Sequence, residues 1–133
     1  MKLELKHLAP YLPYGLKIVW QVWFSKTEHR DSTHVMHPME LHNWDVDNGY
    51  VIIPIFRPLS DLTKEIEVNR ECFIPSKELS TNKFDAGYTW NYYAINANNV
   101  KLLNYEIIEK LFEWHFDVFG LIEKGLAIDI NTL

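Results

Sequence analysis

The chain has 133 residues, the usual size of one domain, and its 47% apolar and 23% charged residues exclude the low-hydrophobicity, high-charge class of disordered chains. A formal charge of −5 works against nonspecific binding to nucleic acid and to anionic lipid. Cys72 is the only cysteine, which rules out an intramolecular disulfide and the disulfide-stapled secreted folds, so a single domain over residues 1–133 in a reducing compartment is predicted.

At the N-terminus, MKLELKHLAPYLPYG has no unbroken apolar run and reads as no signal peptide; no later stretch approaches the length of a membrane span. Leu8 to Lys17, with Pro10, Pro13 and Gly15, reads as an extended or turn-rich arm after at most one helical turn. From Leu16 to Phe24, Leu16, Ile18, Trp20, Val22 and Phe24 share one parity, the period of a strand. A polar loop over Lys26 to Ser32 and a second strand over Thr33 to Leu41 follow, the latter placed at an edge by Pro38. Asp47-Asn48-Gly49 is a hairpin turn signal leading into a third strand, Tyr50 to Phe56, whose Pro54 predicts an edge, bulged or short strand. In RPLSDLTKEIE, Leu59, Leu62 and Ile66 follow helical spacing, with Asp61, Lys64 and Glu65 on the outside. Pro75 opens a short helical turn through Leu79, and Tyr88 to Ile95 reads as a further strand. Asn104 to Phe119 carries the strongest helical pattern, with a polar stripe of Glu106, Glu109, Lys110, Glu113 and Asp117 and a wide apolar arc, ended by Gly120 as a left-handed cap. Leu126, Ile128 and Ile130 alternate as a last strand. The fold class expected is α+β: a small antiparallel sheet packed against a long C-terminal helix and a shorter central helix.

Three groups of residues invite a chemical reading. Four histidines, His29, His34, His37 and His42, fall close together, and imidazole is a common metal ligand. Yet His34 and His42 would lie roughly 26 Å apart along a regular strand, and His37 points the other way. His34, His37 and His42 therefore remain metal candidates only with a bulge at Pro38, and no metal or other cofactor is assigned.

In EWHFD, Glu113 and Asp117 share one helical stripe while His115 is rotated about 200° from both, so the three do not converge on a catalytic centre. Asp117, an anion near a helix C-terminus, needs compensation from a local backbone bond or a partner, which makes it a candidate binding residue. Tyr88, Trp90, Tyr92 and Tyr93, among asparagines and little charge, combine rigid contact area with adaptable hydrogen bonding, the composition of a protein-binding surface. Only Lys83 and Lys101 flank them, which argues against single-stranded nucleic acid.

IPIFRPLSDLTKEIE (53–67), EWHFDVFGLIEKGLAIDINTL (113–133) and LAPYLPYGLK near the start resemble a family of small hypothetical proteins from phages and prophages of Bacteroidetes. Relatives tend to read ILRPLSDL and NGEKF; here Phe56 replaces a Leu, and Arg70 replaces the Gly, which weakens the case for a tight turn after Asn69. The resemblance implies a phage context in the cytoplasm of a bacterial host and assigns no functional residues. Together these readings point to a phage or prophage accessory protein that binds a host or phage protein or regulates one, with catalysis disfavoured. Two alternatives are a small metal-dependent enzyme built on the clustered histidines with Glu40 or Asp45, and a structural homo-oligomer held through the apolar arc of the last helix.

Overall fold

The computed structural model describes residues 3–36, 50–79 and 105–133. Two compact units divide the chain, one formed by Met1–Phe56 with Leu121–Leu133 and the other by Arg57–Gly120.

The first unit begins with helix α1, Leu5–Leu8, which runs directly into a 3-10 helix, Ala9–Tyr14. The proline-containing arm, expected to be extended or turn-rich after at most one helical turn, is thus a 3-10 helix following one α-helical turn. Pro10 sits near the start of the 3-10 segment, where an amide proton has no intrahelical acceptor. Gly15 closes it with φ 69° and ψ 49°, a left-handed conformation that costs glycine little. Leu8 and Tyr11 are fully buried, and the Tyr11 ring lies 4.4 Å from that of Phe56.

Strands β1 (Lys17–Trp23), β2 (His29–Val35), β3 (Tyr50–Phe56) and β6 (Ile128–Asp129) form one sheet in the order β2-β1-β3-β6. β1 pairs antiparallel with β2 and β3, whereas β3 pairs parallel with β6 through Ile55↔Ile128 and Phe56↔Asp129. The sheet is therefore mixed, which corrects the expected antiparallel one. On one face Leu16 and Ile18 stand beside Met36, Ile52 and Pro54, all buried as the parity of β1 predicts. β2 starts four residues before the predicted Thr33, so Phe24 to Glu28 forms the loop instead of Lys26 to Ser32.

Pro54 lies inside the sheet, not at its edge. Hydrogen bonds Phe24 N→Glu28 O (2.9 Å) and Met36 N→Leu16 O (2.7 Å) fix the even-numbered residues of β1 as those bonding β2. The odd-numbered ones then bond β3, and Pro54, opposite Ile18, turns its nitrogen toward the β6 side. β6 joins only from Ile55 onward, so no ladder bond requires the missing donor.

The second unit is a 3-10 helix, Leu59–Thr63, a hairpin of β4 (Ile66–Val68) and β5 (Glu71–Phe73), helix α2 (Pro75–Leu79) and helix α3 (Tyr105–Glu113). The shorter central helix of the sequence reading is a turn and a half of 3-10 helix, because Lys64 is already extended and Ile66 enters the hairpin. Asn69 and Arg70 link β4 to β5 with φ of 52° and 70°, the pair of positive values a two-residue I′ turn demands. The tight turn after Asn69, which a Gly would favour, is made here with Arg70.

The long C-terminal helix is absent: α3 has nine residues and stops at Glu113. His115 takes φ 62°, Phe116 N bonds Leu111 O (2.9 Å), and His115 N bonds Phe112 O (3.0 Å). These bonds make a Schellman cap, completed by Leu111 and Phe116, fully buried in the same cluster. The apolar residues after Trp114 continue the helical spacing without continuing the helix. Gly120 does adopt the left-handed conformation, φ 69°, but in the loop beyond. Leu62, Ile66, Leu79, Ile107, Leu111, Trp114, Phe116 and Val118 form the core of this unit.

Candidate functional site

The ladder parity that explains Pro54 also defines the outer edge of the first unit. Arg30, Ser32 and His34 exchange backbone bonds with β1, so the amides and carbonyls of His29, Asp31, Thr33 and Val35 point away from the sheet. β2 ends the strand order, and five of its first residues, His29 to Thr33, are exposed. No backbone bond reaches these outward groups among the described residues.

Side chains alternate across this edge. His29, Asp31, Thr33 and Val35 lie on the face away from Leu16 and Ile18, with Trp23 and Gln21 of β1 beside them. The Trp23 indole nitrogen donates to Gln21 Oε1 (3.3 Å), its ring lies 4.3 Å from that of His29, and His29 Nδ1 is hydrogen-bonded to Asp31 Oδ1. On the other face the Arg30 guanidinium stands 5.8 Å from the Phe24 ring, which is 65% exposed. The edge thus presents a rigid backbone template flanked by aromatic and charged groups.

A second concentration of polar groups surrounds Arg57. Its backbone N–H donates to His115 O and its carbonyl accepts from Asp117 N, both at 2.8 Å. The side chain reaches further, with Nε donating to Trp114 O (3.2 Å) and Nη2 to Glu67 O (2.8 Å). One residue therefore fastens the loop after α3 to β4. Burial lowers the pKa of the guanidinium, an effect opposed by the charge of Asp61. Asp61, placed outside by the helical reading, is 4% exposed and pairs with Lys64 Nζ at 3.3 Å. Arg57 and Asp61 went unmarked in the sequence reading; the usable signal was a charged residue directly after a buried strand and another inside the next turn.

Of the residues singled out from sequence, Asp117 is 5% exposed and lies in the loop after α3, four residues beyond the last helical residue, Glu113, with its backbone N–H bonded to Arg57 O. Glu113 pairs with Lys110 at 2.9 Å, and His115 is half-buried at the cap, so EWHFD serves as a helix stop. His34 is half-buried on β2 opposite Ile18, five strand positions beyond His29 and therefore on the other face. His37, His42, Tyr88, Trp90, Tyr92 and Tyr93 lie outside the described residues. Among the described residues no group of three or more His, Cys, Asp or Glu is placed to hold a metal ion, and no helix is long and apolar enough to cross a membrane. Comparison with family models, with curated proteins and with solved structures finds no match for this chain.

Proposed function

We propose that the protein is a binding or regulatory module, a phage or prophage accessory protein of the bacterial cytoplasm, that takes up an extended segment of a host or phage protein along β2. The observation that carries this reading is the outward row of amides and carbonyls at His29, Asp31, Thr33 and Val35 on an exposed terminal strand. Such an edge supplies regularly spaced main-chain bonds to an added strand, and side chains on alternate positions supply selectivity. The phage setting rests on the resemblance of residues 53–67 and 113–133. The aromatic segment around Trp90 and Tyr92 is the second surface such a module would use. The alternative of a structural homo-oligomer would have to use other residues of the apolar arc, since Ile107, Leu111 and Phe116 pack in the unit's own cluster.

The test is a pull-down from lysate of the bacterial host with tagged wild type, Thr33→Pro, and Trp90→Ala/Tyr92→Ala. Proline at 33 removes an outward donor while leaving the bonds of Ser32 and His34 to β1 in place. A partner held by wild type and reduced about tenfold by Thr33→Pro, roughly the worth of one or two lost main-chain bonds, is expected. A partner lost only in the aromatic double variant moves the surface to the segment around Trp90. An empty pull-down with folded protein overturns the binding reading.

A further inference from the structure

His7 holds α1 in place through a hydrogen bond that only a neutral imidazole can make. The Glu4 backbone N–H donates to His7 Nδ1 at 2.9 Å, and the His7 backbone N–H donates back to Glu4 O at 3.0 Å. The first bond is the half of a capping box in which the third helical residue reaches back to the cap; Glu or Gln ordinarily fills that position. A backbone N–H can only donate, so Nδ1 carries the lone pair and the ring proton sits on Nε2. Protonation puts a hydrogen on Nδ1 and turns the acceptor into a second donor facing the first.

The surroundings leave the imidazolium little relief. His7 is 3% exposed, and it directly precedes Leu8 and, one turn on, Tyr11, both fully buried. The charged groups that shift the ring's titration include Lys6 and Glu4 of its own segment and Lys124 of the turn that precedes β6. Burial first, and Lys6 and Lys124 after it, disfavour the charged ring, while Glu4 favours it. The His7 pKa accordingly lies below its ordinary value of 6.5.

From this geometry we infer that His7 is an acid-sensitive clasp: its protonation uncaps α1 and loosens the 3-10 segment behind it, Ala9–Tyr14, while the β1–β2–β3 ladder stays formed. The sign follows from linkage. The folded state binds its proton less readily than the unfolded chain, so the contribution of His7 to stability is complete above the unfolded value and is lost as pH falls from there through the folded pKa. Among the described residues the other histidines lie elsewhere, His29 and His34 on β2 and His115 at the cap of α3.

Two measurements on the full chain test the clasp. An NMR titration of the histidine rings is expected to show His7 titrating below 6.5, in step with the loss of its own cap. Amide exchange between about pH 7.5 and 5, corrected for intrinsic rates, is expected to show about fivefold loss of protection over Leu5 to Tyr11, the ordinary worth of one lost helix cap. The ladder amides of Val19 and Gln21 should keep theirs. His7→Gln retains an acceptor that does not titrate and should abolish the pH dependence of the Leu5–Tyr11 protection. Titration of His7 at or above 6.5, or protection over Leu5–Tyr11 that stays constant on acidification in wild type, overturns the inference even if the Gln variant fails to fold.

Discussion

The two units reach stability by different routes. In Met1–Phe56 with Leu121–Leu133, the organising element is a backbone ladder: all seven residues of β1 pair with β2 and five of them, Ile18–Val22, pair with β3 as well, and the outer neighbour β2 contributes bonds while burying little. Among the described residues of Arg57–Gly120 the strands have three residues each and the longest helix nine, so side chains do the organising, through one apolar cluster and the bonds of Arg57. Substitutions at the exposed positions of β2 are therefore expected to cost little stability, whereas substitutions in the cluster of the second unit bear on folding.

The sharpest test of that contrast is Phe116→Ala. The ring is fully buried and closes the Schellman cap against Leu111, so truncation is expected to cost about 4 kcal/mol in urea unfolding. A cost below about 1 kcal/mol would mean that the second unit does not depend on its cluster. Arg57→Met comes next: the aliphatic stem is kept, but the carbonyls of Trp114 and Glu67 lose their donors, and a loss of about 2 kcal/mol is expected. The Glu67 and Trp114 ends should then show weakened amide protection before the ladder of the first unit does.

The smallest effect has the opposite sign. Arg70 holds φ of 70° in the I′ turn, a conformation that costs an L side chain about 1 kcal/mol, partly offset in glycine by the greater freedom of its unfolded chain. Arg70→Gly is therefore expected to stabilise by about 0.5 kcal/mol, read as a raised thermal midpoint. A destabilisation would show that the Arg70 side chain, exposed as it is, makes a contact worth more than the backbone strain.

Legibility from sequence followed the same division. Parity in β1, the bounds of β3 and the turn from Pro75 to Leu79 were readable because each depends on local spacing and local turn chemistry. The second unit was misread where apolar spacing outlasts the element that it seems to describe. Phe116 and Phe119 fit a helix, but the left-handed His115 turns the chain before them, and nothing short of a glycine at that position announces such a cap in a sequence. Parallel pairing of β6 with β3 was likewise invisible, because it joins residues more than seventy positions apart through two pairs only. Of the candidate sites, the edge position of β2 was anticipated, though from Pro38, which lies outside the described residues; the bonding parity that makes the edge usable comes from register alone. Arg57 was passed over because its partners are carbonyls, which carry no side-chain signature.

The parallel pairing of β3 with β6 has a consequence for how the chain assembles. The second unit is an insertion between two neighbouring strands of the first, so on the ribosome Arg57–Gly120 is complete before Ile128 has been made. The helix, hairpin and cap of that insertion can collapse through short-range contacts, while closing the sheet must wait for the most distant strand pairing among the described residues. Until then β3 stands with one side open, and the order of synthesis, more than the strength of any one contact, decides how long that side remains exposed.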